Sequence, residues 1–266
     1  MNFWYNAMTG EQTKLYLARI GFDGDAPPTL ETLNRLVAAH QCAVPFENLD
    51  VCEFGLVPSL EIHALFDKVV TRRRGGYCFE LNAIFAALLA SVGFDVIPCI
   101  ARVVGDPNTV SPPLHRVALV KIGSERYFCD VGFGGLMPFG ALEFTDNIRQ
   151  TSGGADFHFE GSGGEWATLY HDAEPSPAPV LHICTLRQEE VDFLAPNAYC
   201  AAPGSYFNMS RIVNLRRPNG AAYISGNTLT VRDGDEKTTR ELVSARELYA
   251  VLEDEFGIVL PLRPLM

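Results

Sequence analysis

Apolar residues recur with a helical period through roughly the first 95 positions and with a strand-like rhythm after them. Thr9 and Gln12 stand at the spacing of a capping box, and the segment they open runs to Gly21, a plausible helix stop. Behind Pro27-Pro28, the residues Leu30, Leu33, Leu36 and Val37 share one face of a second helix that starts near Thr29. A third is expected from about Ser59, carrying Leu60, Ala64, Leu65 and Val69. The clearest helix follows Gly75-Gly76. Its residues Leu81, Phe85, Leu88, Leu89 and Val92 fall at offsets 0, 4, 7, 8 and 11, and Gly93 closes it.

Past Gly93 the stretches FDVIPCIARVV, HRVALVKI and RYFCDVGF are short and rich in β-branched and aromatic residues, which predicts strands. Ile122-Gly123-Ser124-Glu125 reads as the hairpin connection between the last two. From about 146 to 180 the chain is rich in loop residues, with a PSPAP run at 175–179 and short strands at Phe157–Phe159 and Trp166–Tyr170. Further strands surround Ile212, Tyr223 and Leu229–Val231, with turn signals at Asn219-Gly220 and Gly226-Asn227. A last helix opens at Ser244, with Glu247 as its capping-box partner, and ends near Gly257. Helices, then strands, then a small mixed unit describe an α+β chain, divided at 1–95, 96–204 and 205–266.

Composition narrows the function. At 266 residues, 47% hydrophobic and 20% charged, the chain can bury a sizeable core. Lys and Arg total 21 against 32 Asp and Glu, a formal charge of −11 that argues against a nucleic-acid partner. A phosphorylated small molecule needs only a local basic pocket, for which Arg72-Arg73-Arg74 and Arg216-Arg217 are candidates. Solvated surface charge is the plainer role for both. No apolar run approaches the roughly 20 residues that span a bilayer, and the first residues lack the features of a secretory signal. A soluble cytoplasmic protein without a membrane partner is expected. The 7 cysteines are scattered and never spaced as C-x-x-C, so neither a disulfide framework nor a metal site is indicated.

One cysteine stands apart. In RRRGGYCFELN, Cys78 occupies the first turn of the strongest predicted helix, where free N–H groups and the helix dipole favour negative charge. Thiols so placed, or beside a protonated His, ionise near or below neutrality, with pKa values of about 3.5–7.5. Gly75 and Gly76 are expected to leave room for a substrate above the sulfur. A nucleophile of this kind needs a base and a group to orient the base. His115 opens one predicted strand and Asp130 lies in the next. With the hairpin turning near 122–123, the two face each other directly, which would let Asp130 accept from His115 Nδ1 and leave Nε2 for the sulfur. Taken singly, the same residues suit plainer roles: a packed thiol, a satisfied core histidine and a turn cap. His40, His63, His158, His171 and His182 lack comparable company and read as surface or packing residues.

The blocks PFENLDV (45–51), RRRGGYCFELN (72–82), the His115 strand and DVGFGG (130–135) resemble the signature segments of the arylamine N-acetyltransferases, in order and spacing, over roughly the first 145 residues. The resemblance implies three domains with a cysteine-protease-like core: a helical bundle, a β-barrel and an α/β lid. It implies a catalytic triad of Cys78, His115 and Asp130. It implies ping-pong transfer of an acetyl group from acetyl-CoA to an arylamine or hydrazine, with acetyl-CoA a substrate and no permanently bound cofactor. Gly132, Phe133, Gly134 and Gly135 match the family segment near the CoA pyrophosphate, and a plain turn after a strand is the alternative. Glu47 and Arg74 are expected to pair and brace the catalytic helix. Phe133 and Phe207 are candidates for the amine pocket.

The second half is less faithful. In VDFLAPNAYCAAPGSYF (191–207), Cys200-Ala201-Ala202 stands where the family usually has small hydroxyl residues followed by His. That departure leaves the donor open, and two enzymatic alternatives stand beside a binding or redox module in which Cys78 is merely reactive. One is a macrolactam-forming amide synthase of the same superfamily, and the other is a Cys-His-Asp hydrolase or transglutaminase-like enzyme.

Overall fold

The computed structural model describes residues 8–106 and 108–260. The N-terminal part contains helices α1 (Gly10–Arg19), α2 (Leu30–Ala43), α3 (Leu49–Cys52), α4 (Ile62–Phe66) and α5 (Cys78–Ser91), with a two-residue strand β1 (Phe46–Glu47). The caps read from sequence are present. Thr9 Oγ1 accepts the Gln12 amide at 3.2 Å while Gln12 Oε1 accepts the Thr9 amide at 2.9 Å, and Thr29 Oγ1 accepts the Thr32 amide at 3.3 Å. The third helix starts later than expected, at Ile62, and runs on as a π-helical turn over Asp67–Thr71. Helix α5 departs from its predicted one-sided face: every residue from Cys78 to Leu89 is buried, so it is the central rod of the molecule.

A sheet of eight antiparallel strands follows, comprising β2 (Asp95–Val103), β3 (His115–Ile122), β4 (Glu125–Cys129), β5 (Leu142–Glu143), β6 (Gln150–Ser152), β7 (Ala155–Glu160), β8 (Trp166–His171) and β9 (Ala178–Cys184). Its order is β5-β4-β3-β2-β9-β8-β7-β6. The two edges are stitched by one side chain, since Gln150 Oε1 accepts the Glu143 amide at 2.8 Å and Gln150 Nε2 donates to the Glu143 carbonyl at 2.9 Å. That makes the sheet a nearly closed barrel. Strand β9 lies at the end of the stretch expected to be loop. It begins just after Pro177 and joins β2 to β8. The side of β2 and β3 turned to the helices buries α5, and the other side closes over its own core of Phe128, Phe157, Phe159 and their neighbours.

Short helices α6 (Leu194–Ala201) and α7 (Tyr206–Met209) lead to β10 (Ile212–Arg217), β11 (Gly220–Ser225), β12 (Thr228–Asp233), β13 (Glu236–Glu241) and helix α8 (Ala245–Phe256). The two hairpin turns and the Ser244 cap stand where the sequence puts them, and Gly257 ends α8 with φ of 65°. Strand β1 crosses from the helical part to pair with β10, so the second sheet is rooted beside the start of α5. Among the described residues no helix is long and apolar enough to cross a membrane.

Candidate active site

The turn ahead of α5 rests on a buried cluster of charges. Arg74 binds Glu47 Oε1 through Nε at 2.9 Å and Asp50 Oδ1 through Nη2 at 2.8 Å; Lys68 Nζ reaches Asp50 and Glu80 at 2.7 Å each. Glu80 Oε2 then accepts the Tyr77 amide at 3.1 Å, holding the residue that immediately precedes Cys78. Glu47 and Arg74 therefore pair as expected, within a larger network. Arg74 is not a phosphate ligand, and Arg72 is an exposed partner of Asp67. Three carboxylates face two cations, so one acid carries the surplus negative charge. Burial pushes the Glu80 carboxyl up to about 7, against the pull of Lys68.

The paired glycines serve this cluster and not a substrate. A Cβ on Gly75 would lie 1.9 Å from the Pro45 carbonyl oxygen, and one on Gly76 would lie 2.8 Å from Glu80 Oε2. They let β1 and the Glu80 carboxylate close in under the helix start. The expectation that they open space above the sulfur is corrected.

Cys78 is the first residue of α5, His115 the first of β3, and Asp130 follows directly on β4. His115 Nε2 lies 2.6 Å from Asp130 Oδ2, and the imidazole also hydrogen-bonds Cys78. Because Nε2 is engaged by the carboxylate, Nδ1 is the nitrogen left for the sulfur, the reverse of the orientation expected from the sequence. The expected face-to-face register is also corrected. Strands β3 and β4 pair Ile122 with Glu125 and Ala118 with Cys129, so His115 and Asp130 meet as diagonal neighbours.

Asn82, one turn along α5 from Cys78, fixes the acid. Its Nδ2 donates to Asp130 Oδ1 at 2.9 Å and to the Arg116 carbonyl at 2.6 Å, and its Oδ1 accepts the Val131 amide at 3.0 Å. The Gly132 amide adds a bond to Asp130 Oδ1 at 2.8 Å. One helix thus carries the sulfur and orients the carboxylate. Burial alone would lower the His115 pKa; the Asp130 carboxylate and the Cys78 sulfur outweigh it and raise the imidazole to about 10. Phe133 closes one side of the ring edge-on, with centroids 5.4 Å apart.

Cys78 and His115 open into a cavity of about 600 Å³ with mostly apolar walls, including Phe46, Leu114, Tyr199 and Tyr206. Gly132, Phe133, Gly134, Gly135 and Phe207, all singled out in the sequence, line it too. Its far wall is α6 and α7, held by groups that sequence reasoning missed. Arg116 forks onto Glu190 at 2.8 and 2.6 Å, Asn197 Nδ2 donates to the Pro58 carbonyl at 3.0 Å, and Asn48 Nδ2 donates to the Phe207 carbonyl at 2.7 Å. Asn82 had one legible signal, its four-residue spacing from Cys78. The second basic pair divides: Arg217 is tied to Glu255, whereas Arg216 lies over Phe139 and donates to the Met137 carbonyl at 2.6 Å, beside Gly134 and Gly135. Of the remaining histidines, His40 is packed between Tyr16 and Phe85, and His158 and His182 stack on Tyr170 and Trp166.

The sequence profile of the N-acetyltransferase family matches residues 29–265. The arylamine N-acetyltransferase of Escherichia coli strain K12 is 31% identical over 255 residues, covering 91% of this chain and 87% of the relative. The arylamine N-acetyltransferase of Mycolicibacterium smegmatis is 33% identical and covers 91% and 90%. The structure of Mycobacterium marinum arylamine N-acetyltransferase in complex with CoA superposes with a TM-score of 0.85 at 29% identity, covering 92% of each chain.

Proposed function

Because the chain belongs to the arylamine N-acetyltransferase family, we propose that it moves an acetyl group from acetyl-CoA to aromatic amines and hydrazines through an acetyl-Cys78 intermediate. The observation that carries this reading is the His115 imidazole, held by Asp130 at 2.6 Å and bonded to Cys78 at the mouth of an apolar cavity.

In the first half-reaction the Cys78 thiol passes its proton to His115 Nδ1 and the sulfur attacks the thioester carbonyl of acetyl-CoA. The positive end of α5 faces the charge that develops there. Collapse of the adduct expels the CoA thiolate, which takes the proton back from His115. In the second half-reaction the amine attacks acetyl-Cys78, His115 accepts the proton that the nitrogen sheds, and the amide leaves with the thiol restored. Asp130 keeps the ring in one orientation throughout. The Gly132 amide is engaged by Asp130, so contact with the donor's pyrophosphate falls to the amides of Gly134 and Gly135, with Arg216 nearby. The division at 1–95, 96–204 and 205–266 belongs to the same proposal: the first two units supply the triad and the third covers the donor.

Intact-mass spectrometry tests the reading. Mixing with acetyl-CoA should add one acetyl group, an arylamine should remove it, and Cys78→Ala should never acquire it. A folded wild-type protein that gains no acyl mass from acetyl-CoA overturns the proposal.

A further inference from the structure

Two thiols enter the cavity, from different helices. Cys78 opens α5 and Cys200 lies in the last turn of α6. Both point at a single acceptor: the Leu114 carbonyl oxygen is 3.8 Å from Cys78 Sγ and 4.0 Å from Cys200 Sγ. Among the described residues that line the cavity, no other side chain is a thiol. The remaining cysteines sit elsewhere in the molecule, Cys42 in α2, Cys52 in α3, Cys99 in β2, Cys129 in β4 and Cys184 in β9. Cys200 has no part in the transfer chemistry described above. Its presence beside the nucleophile calls for a different account.

We propose that Cys78 and Cys200 form an oxidisable dithiol that a hydroperoxide closes into a Cys78–Cys200 disulfide. In the first step the Cys78 sulfur attacks the peroxide, the O–O bond breaks, and the sulfur loses two electrons to become a sulfenic acid. The displaced alkoxide leaves as the alcohol with the thiol proton. In the second step the Cys200 sulfur attacks that sulfenic sulfur, the S–S bond forms, and the S–O bond breaks. The hydroxyl departs as water with the Cys200 proton. The sum is two thiols and one hydroperoxide giving a disulfide, an alcohol and water.

The order of events follows from the surroundings. Cys78 sits against the His115 imidazole, which can take its proton. Burial and the neighbouring Cys78 sulfur push the Cys200 thiol up to about 12, so Cys78 is the thiol that meets the peroxide first. Bringing the sulfurs together gives up the two weak S–H···O contacts to Leu114 and the Cys78 contact with His115. The consequence is protective: the nucleophile stops at a reducible state and does not climb to the irreversible sulfinic acid.

The inference rests on Cys78 being the reactive thiol, and the experiment separates the two claims. Purified protein is treated with excess hydrogen peroxide, blocked with N-ethylmaleimide, digested without reductant and mapped by mass spectrometry. Activity is then measured after dithiothreitol, relative to each variant before oxidation. The wild type should yield a linked Cys78–Cys200 peptide and recover most of its activity. Cys200→Val and Cys200→Ala should show Cys78 sulfinic acid, with a recoverable fraction at least about threefold smaller. Wild-type Cys78 found as sulfinic acid, or left unoxidised, with Cys200 alkylated overturns the dithiol while acetyl loading stands. A linked peptide in a protein that never takes up acetyl supports the dithiol and removes the transferase reading alone.

Discussion

Replacing Asp130 with Asn isolates what the carboxylate does. The amide is the same size, and its Oδ1 can keep the bonds that Asn82 Nδ2 and the Gly132 amide make at 2.9 and 2.8 Å. Its Nδ2 then takes the place of Oδ2, 2.6 Å from His115 Nε2, and donates to it. That bond forces the ring proton onto Nδ1, the nitrogen facing Cys78, where it blocks transfer from the thiol. The electrostatic loss is also calculable. A rise of the imidazole from 6.5 to about 10 is worth about 5 kcal/mol in favour of the imidazolium. Burial opposes that rise, so Asp130 and Cys78 together supply more than the net figure, with Asp130 the larger contributor. If loss of the carboxylate raises the acylation barrier by about 4 kcal/mol, acetyl loading slows about 1,000-fold. Rapid-quench intact mass measures the single-turnover rate, and alkylation by iodoacetamide gives a second reading that involves no CoA. In D130N both rates should climb through the alkaline range as hydroxide replaces His115 in removing the proton. A folded D130N that loads acetyl within about threefold of wild type, with an unaltered pH profile, refutes the assignment of Asp130 as the orienting group.

Two further outcomes follow from the charge cluster beneath Cys78. Arg74→Met strands Glu47 and leaves Asp50 to Lys68 alone, which costs about 3–5 kcal/mol and lowers Tm by about 10 °C; an unchanged Tm with lost acyl-enzyme formation contradicts a bracing role. Glu80 is pushed from 4.5 to about 7 by burial, so the folded chain holds a proton that the unfolded chain releases. That contribution is fully present below about pH 4.5 and lost as pH rises through about 7, up to about 3 kcal/mol in all. Glu80→Gln should remove this downward limb from urea-measured stability, and an identical slope in the variant rules Glu80 out as its source.

Features set by local chemistry were legible in the chain. The caps at Thr9, Thr29 and Ser244, the stop at Gly257 and the turns at Asn219 and Gly226 each depend on a few adjacent residues. What depends on partners far along the chain was not. Strand β13 is exposed at every residue and has no apolar rhythm to read; it exists because β12 offers it an edge. Strand β9 forms because β2 and β8 flank it, although two prolines precede it. Residues 190–209 curl into short helices under the hold of Arg116, Pro58 and Asn48, none of which is near in sequence.

The site lies between these cases. The residue types and their order were readable, yet the assumed hairpin centre was misplaced. The observed turn occupies Gly123 and Ser124, and continuing its pairing would set His115 against position 132 instead of 130. A slip of one residue would have sent the two side chains to opposite faces of the sheet and left no contact. A slip of two preserves the face and lengthens the reach to a diagonal, which an imidazole and a carboxylate can span. Asn82 and the Gly132 amide then draw the acid into position from the α5 side. The contact between His115 and Asp130 is therefore specified by parity in the sheet and by a helix that carries both Cys78 and the clamp on Asp130, which is why an approximate register still brought these two side chains together.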